Sequence, residues 1–354
     1  MGKICFTGES HQTRSLARMP GRLVDRRPEL PAETLVEQLV PPPRFSAVRF
    51  ETYRPDPAEP TQAAAVTAVR AFSGRTGDGS DGRRGWLRRR AAPPEDRPGI
   101  YLDGGFGVGK THLLASLWHV SPVARSQRVF CTFVELTNLA GALGFAKAVE
   151  QLSGSRLVCI DEFELDDPGD TVLVATMLSR LADAGVRFAA TSNTLPGRLG
   201  EGRFAAQDFL REIQSLSARF DVVRIDGEDY RHRGLPDAPP PADDAQVVRS
   251  ASVRGGTLDD FDELCRHLAS VHPSRYGPLV DGVSRVHLLG VRVIEDQAVA
   301  LRLVVLADRL YDRDVPVVAS GVPLDQLFAP DLLTGGYRKK YMRAISRLIS
   351  LARV

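Results

Sequence analysis

The stretch YLDGGFGVGKTHLLASL, residues 101–117, decides the fold. An apolar run ends in a glycine-rich turn, and a lysine stands where a helix should begin. Gly104-Gly105-Phe106-Gly107-Val108-Gly109-Lys110-Thr111 matches G-x-x-x-x-G-K-[ST], the P-loop. Glycines there leave room for backbone N–H groups to face phosphate oxygens, and the helix that follows aims its positive end at the same anion. The lysine is informative because the chain has 41 arginines and only 5 lysines. A compact ammonium on a flexible stem reaches between phosphates where a planar guanidinium would not. Lys110 is thus expected on the β- and γ-phosphates of ATP, Thr111 on Mg2+, and His112 beside them in the nucleotide-binding set.

A phosphate cradle needs a metal holder. RLVCIDEFE, 156–164, is an apolar strand ending in two acids. Asp161 is the expected metal ligand, with Thr111, and Glu162 the residue that polarises the attacking water. The strand after it ends in ATSN, 190–193, and Asn193 is placed to orient that water. From Gly99 onward, apolar runs and amphipathic segments alternate. The expected strands are 99–104, 129–136, 156–163, 187–193 and 221–226. The expected helices are 110–120, 139–152, 170–185 and 206–220. Such alternation predicts an α/β fold, a parallel sheet flanked by helices. Strand, acid pair, strand, asparagine is the order of AAA+ ATPases, in which the asparagine is sensor 1.

Other P-loop classes fit less well. LSGSR, 152–156, looks like a transporter signature but abuts the Asp161 strand with no helix between them. No guanine-binding N/T-K-x-D follows, and nucleotide kinases usually lack the Asp-Glu strand end.

Two sets of arginines matter in the AAA+ reading. Arg219, in SARFDVV, ends a helix just before the fifth strand, where such proteins often carry a finger for the neighbouring subunit's nucleotide; Arg203 is the competitor. In the last helix Arg343 and Arg347 lie four apart on one face, and either can be the lid arginine, sensor 2. Arg347 is assigned to the nucleotide set. A finger supplied by a neighbour makes the chain a homo-oligomer.

Around this centre the composition is ordinary: 354 residues, 43% apolar, 25% charged, net charge +2. That suffices for two domains and gives no global field toward nucleic acid or membrane. Cys5, Cys131, Cys159 and Cys265 have neither CxxC nor zinc spacing, and Cys131 and Cys159 read as buried strand residues of a reducing compartment. No apolar run approaches the ~20 residues of a membrane span, so a cytoplasmic location is expected.

Residues 1–45 read as a flexible arm with one short helix near 32–39. Residues 46–227 read as the ATPase domain, with a helix at 61–73 capped by Thr61 and a charged loop at 74–99. Residues 228–256 are a proline-rich linker. Residues 257–354 form a smaller α/β lid and partner domain. Its expected elements are helices at 258–270, 297–311 and 337–353 and strands at 285–289 and 315–319. His267 and His272, five apart, are expected on the surface.

Over about residues 50–354 the chain resembles the ZapE-like AAA+ ATPases, a family named for a bacterial cell-division protein and related to mitochondrial members. The residues that carry this are YRPDPAEPTQAAAV, GIYLDGGFGVGKTHLL, LVCIDEFELDDPGD, ATSNTLP, FDVVRIDGEDYR, FDELC, ADRLYDRDVPVVAS and RAISRLISL. The resemblance implies ATP hydrolysis with Lys110, Thr111, Asp161, Glu162 and Asn193 in the roles given above, and a protein partner near the division machinery. Two positions depart from the family pattern. Val108 stands where members often have arginine, and VFCTFVELTNLAGALGF replaces a His- and Phe-rich strand. The same P-loop neighbourhood contains helicase loaders, for which the basic stretch RRGWLRRR, 83–90, would be a nucleic-acid contact. A nucleotide-gated scaffold is a third class, which the intact Asp161-Glu162 pair disfavours.

Overall fold

The computed structural model describes residues 20–28, 35–77, 97–105, 107–163, 168–195, 210–227 and 238–352. Five runs pair in parallel: β1 (Gly99–Gly104), β2 (Arg128–Thr132), β3 (Leu157–Asp161), β4 (Arg187–Ser192) and β5 (Phe220–Ile225), in the order β2-β3-β4-β1-β5. Side chains alternate across a strand, and here both faces are apolar. Tyr101, Val129, Cys131, Val158, Ile160, Phe188 and Ala190 share one core with α3 (Phe133–Leu143), α4 (Phe145–Ser153), α5 (Pro168–Asp183) and α6 (Leu210–Ser217). Ile100, Leu102, Phe130, Leu157, Cys159 and Ala189 share the opposite core with α1 (Pro60–Gly77) and α2 (Lys110–Val120). This double burial is why the strands read as unbroken apolar runs. Burial drives the Cys131 and Cys159 thiols well above their ordinary range, so neither is a nucleophile.

A second sheet, also parallel, has the order β6 (Gly256–Asp260), β7 (Arg285–Val291) and β8 (Val317–Gly321). It packs with α7 (Asp244–Ser250), α8 (Phe261–Ser270), α9 (Tyr276–Leu279), α10 (Gln297–Asp312), α11 (Pro330–Thr334) and α12 (Arg338–Leu351). Leu264, Leu288, Leu303, Leu310, Tyr341 and Leu348 form its core.

Several boundaries differ from the sequence reading, each for a local reason. The expected strand 129–136 stops at Thr132, which caps α3 by accepting from the Glu135 N–H while the Glu135 carboxylate accepts from the Thr132 N–H. The expected helix 139–152 is two helices, broken at Gly144 with φ 80°. Helix α1 starts at Pro60, and Thr61 does not cap it; its hydroxyl accepts from the Asp226 N–H instead. Within the expected linker, Asp243 caps α7. The expected helix 258–270 begins only at Phe261, because Asp260 is its cap and 256–260 is strand.

The described part of the expected flexible arm is docked. Gly21 bridges to Thr257, Leu23 is fully buried, and Asp259 accepts from the N–H groups of Leu23 and Val24. Residues 35–38 form turns, and the Leu39 carbonyl extends the first sheet by accepting from Phe130 N. His267 is buried, not on the surface, with Nδ1 facing Arg27 at 2.9 Å; His272 is exposed.

Candidate functional site

The site lies at the carboxyl ends of β1, β3 and β4, where a parallel sheet delivers its loops. At the first of these the chain makes a tight turn. Gly104 pairs with Ile225, and a Cβ there would come within 2.3 Å of the Ile225 carbonyl oxygen. Gly109, just before α2, has φ 87°, and a Cβ would strike the Tyr53 ring. Tyr53 is fixed from the other side, its hydroxyl donating to the Val108 carbonyl at 2.7 Å.

Lys110 opens α2 and folds back over the turn. Its ammonium donates to the carbonyls of Gly104 and Gly105 and to Asn193 Oδ1 at 2.8 Å. Thr111 Oγ1 donates to Asp161 Oδ1 at 3.1 Å. The loop, Lys110, Thr111, Asp161 and Asn193 are therefore together in one place, as the spacing predicts. Phe106 lies outside the described residues, as do Arg203 and the basic stretch 83–90. The His112 ring turns toward the preceding segment, with Nε2 against the Arg49 carbonyl at 3.0 Å and Thr52 Oγ1 at 2.9 Å.

Thr191, which sequence reading passed over, organises the acid pair. Its hydroxyl donates to Asp161 Oδ1 and accepts from the Glu162 N–H at 3.1 Å. It stands two residues before Asn193 on β4, the strand beside β3, so its place in ATSN was the available signal. Glu162 itself has φ 54°, a conformation unusual for a residue with a side chain and concentrated at functional sites.

The two acids have opposite electrostatics. Burial and the neighbouring Glu162 charge raise the Asp161 carboxyl, against the pull of its hydrogen bonds from Thr191 and Thr111. Burial alone would raise Glu162 as well, but the guanidiniums of Arg343 and Arg347 overcome it and hold that carboxyl below its usual range.

Those arginines, the two candidates for the lid arginine, reach Glu162 from α12. Arg343 Nη2 lies 3.0 Å from Glu162 Oε2, and Arg347 Nη2 lies 3.1 Å from Glu162 Oε1. Asp308 of α10 takes both arginines from the other side, Arg343 at 2.8 Å. The Tyr311 ring makes cation–π contacts with Arg347 at 5.1 Å and with Arg44 at 3.9 Å. A second ionic contact joins the two sheets' units: Arg309 of α10 to Glu135 of α3, 3.0 Å. Asp308 and Tyr311 stand in ADRLYDRDV, a stretch whose distinctiveness was visible although its role was not.

Arg219 is at the far end of the sheet. Its neighbour Phe220 pairs with Gly99, whereas Ile225 pairs with Gly104, and its guanidinium donates to Ser179 Oγ at 2.8 Å. It is not part of this chain's own cluster.

The donor set fits a hard cation and a polyphosphate. Thr111 and Asp161 offer oxygens side by side, the kind of ligand Mg2+ prefers. The glycine turn leaves backbone exposed where a Cβ would clash. Among the described residues, no helix is long and apolar enough to cross a membrane.

The chain is similar to several known proteins. The family model for AFG1-like ATPases matches residues 30–252 and 241–354. The cell division protein ZapE of Escherichia coli strain K12 is 27% identical over 306 residues, covering 74% of this chain and 80% of that protein. Lactation elevated protein 1 homolog B of Danio rerio is 25% identical over 307 residues, 70% of this chain and 60% of that one. Among solved structures, domain III of the Thermotoga maritima replication initiation protein DnaA matches with a TM-score of 0.39 and 16% identity, over 61% of this chain and 83% of that one. The family match runs through both sheets and through every residue of the cluster, and the chain belongs to the AFG1-like ATPase family.

Proposed function

We propose that this ATPase hydrolyses ATP with Mg2+ as a homo-oligomer in the cytoplasm and couples turnover to a protein partner. The name of the ZapE relative makes cell-division proteins the first candidates. The observation that carries the reading is the meeting of Lys110, Asn193, Thr111 and Asp161 at one edge of the sheet. Residues 46–227 form the ATPase unit of this proposal and 257–354 its lid.

In this reading Lys110 and the backbone of Gly104–Thr111 hold the phosphates, and Asn193 positions the attacking water. Thr111 and Asp161 would hold Mg2+, which when bound neutralises charge on the phosphate oxygens. Glu162 draws the proton of the attacking water as its oxygen bonds to the terminal phosphorus and the bond from that phosphorus to the bridging oxygen breaks, releasing ADP and phosphate. Thr191 is a positioning residue for both acids.

The test is phosphate release from ATP, with Mg2+ and with a chelator. Activity should vanish with the chelator. Glu162→Gln should lower turnover by about 10²–10⁴, the usual cost of losing a general base, while ATP stays bound. Turnover within about threefold of wild type would remove Glu162 from the role. Light scattering with an ATP analogue checks assembly, and a monomer under all conditions would end the oligomer reading. The persistent ATP complex of Glu162→Gln is also the form with which to capture the partner.

A further inference from the structure

We infer that the amino-terminal edge of the first sheet binds the phosphate backbone of a nucleic-acid strand. This contact is separate from the nucleotide site and lies at the other end of the same strands. It does not depend on the nucleotide reading above.

The parallel register builds the surface. Leu157 pairs with both Arg128 and Arg187. The Arg156 N–H donates to the Gln127 carbonyl, and the Arg156 carbonyl accepts from Arg187 N. Gly99 pairs with Phe188, which brings Arg97 to the same level. Four adjacent strands, β2, β3, β4 and β1, thus begin within two residues of an arginine: Arg128, Arg156, Arg187 and Arg97. At about 4.8 Å per strand the row is about 14 Å long. Arg125 is exposed and stands beside Arg128, both making cation–π contacts with Trp118. Arg219, the finger candidate, holds the same level before β5. The connection from Gly77 to Arg97, whose sequence includes RRGWLRRR, starts and ends at this edge: Arg75 donates to Asp221, and Thr76 bonds to Ser121 of the α2 end.

The charge at this edge is not cancelled from within. Among the described residues, Arg125, Arg128 and Arg156 have no carboxylate within 4 Å, while Asp221 takes Arg97 at 3.8 Å and Arg75 at 3.3 Å. The carbonyls of Val123, Trp118 and His119 hold the Arg128 guanidinium at 2.9, 2.7 and 3.0 Å, and these acceptors are neutral. Helices α2, α4 and α5 end here, but a helix end carries only about half a negative charge. With Asp183 and Asp221 counted, the arginines remain in excess. The chain as a whole is nearly neutral at +2, so the excess is local. A guanidinium presents paired N–H donors to two oxygens of one phosphate. A line of them suits a line of phosphates, spaced about 3.4 Å along a duplex strand, and the row meets about four. The nearby rings of Trp118 and Phe220 are 5% and 1% exposed and cannot stack on bases. The contact therefore follows the backbone and not the sequence.

The test is fluorescence anisotropy of the full chain with labelled oligothymidylate and oligoadenylate of equal length, without ATP, over a range of salt. The logarithm of affinity should fall against that of salt with a slope of about −3, the value for about four neutralised phosphates of a single strand. Arg125→Gln/Arg156→Gln should weaken binding about tenfold or more for both oligonucleotides and make the slope shallower by about 1.4. Arg249→Gln/Arg254→Gln, which removes two exposed arginines of the second unit, should change affinity by less than about twofold. Unchanged melting curves show that each variant keeps its fold. Should the first pair lose it, Arg125→Gln alone replaces it, with an expected loss of about threefold and a slope shallower by about 0.7. Any of four results would overturn the inference. They are no binding by wild type, an equal loss in the second-unit pair, and tighter binding to polyglutamate or to phosphatidylserine vesicles than to either oligonucleotide. The fourth is a preference above about tenfold for one oligonucleotide, which would mean that bases are read.

Discussion

The ammonium of Lys110 donates to the amide oxygen of Asn193 at 2.8 Å, across 83 residues of chain. Its other acceptors are the carbonyls of Gly104 and Gly105. These contacts gather the ammonium over the glycine turn, where an arriving anion would meet it. Lys110→Ala should weaken ATP binding about 100-fold or more, since charge-assisted hydrogen bonds contribute about 1.5–3 kcal/mol each. Asn193→Ala should leave binding nearly unchanged and lower turnover by about tenfold or more, because it leaves the cation in place and removes a water contact. Calorimetry and phosphate release separate the two. Equal ATP affinity in Lys110→Ala and wild type would remove the phosphate-cradle assignment.

Arg219 should act across a subunit boundary. It precedes β5 at the end remote from Gly104, and at about 3.3 Å per residue the six residues of that strand put roughly 17 Å or more between them. Its side chain cannot cover that distance to the nucleotide of its own chain. Arg219→Ala should bind ATP normally and hydrolyse it about 10³-fold or more slowly, the usual effect of losing such a finger. Mixing it with Lys110→Ala subunits should restore part of the activity, because some interfaces then pair an intact cradle with an intact arginine. The same mixture made with Arg203→Ala decides between the two. Unrescued loss in both, with assembly intact, would sink the shared site.

Asp312 should make stability depend on pH. Burial raises its carboxyl to about 7, against the attraction of Arg347 and Arg309 and with the repulsion of Asp308 and Glu162. The unfolded value is near 3.9, so the folded chain binds this proton more tightly. Its favourable contribution is complete below about pH 4 and is lost as pH rises through about 7. The slope is on the order of 1 kcal/mol per pH unit inside that window. Asp312→Asn cannot ionise, so its stability relative to wild type should climb from about pH 4 to about 7 and then level off. Urea midpoints across that range check it; a constant difference between the two proteins would contradict it.

The first sheet and its cluster were largely legible because their signals are local. A glycine turn needs glycines in a row, a buried parallel strand needs consecutive apolar residues, and both sit beside each other in YLDGGFGVGKT. Strand β6 was hidden for the opposite reason. GTLDD is polar in sequence, yet Thr257 and Asp259 are buried, because residues 21–24 pair with and hydrogen-bond to it from more than 230 residues away. Hidden too was the destination of Arg343 and Arg347. Their helical spacing was plain, but that both would meet Glu162 and Asp308 depends on how the second unit settles on the first. His267 misled because its partner, Arg27, belongs to a stretch that reads as a loose arm.

The docking of residues 20–28 has a mechanical meaning. Leu23 lies in the core of the second unit and Leu39 packs against the core of the first, while β5 ends in the first at Ile225 and α7 begins in the second at Asp244. The backbone thus crosses between the two bodies twice, once after residue 28 and once after residue 227. The two units are therefore joined by the chain at two separate places in the sequence, and cutting one would leave the halves still joined by the other.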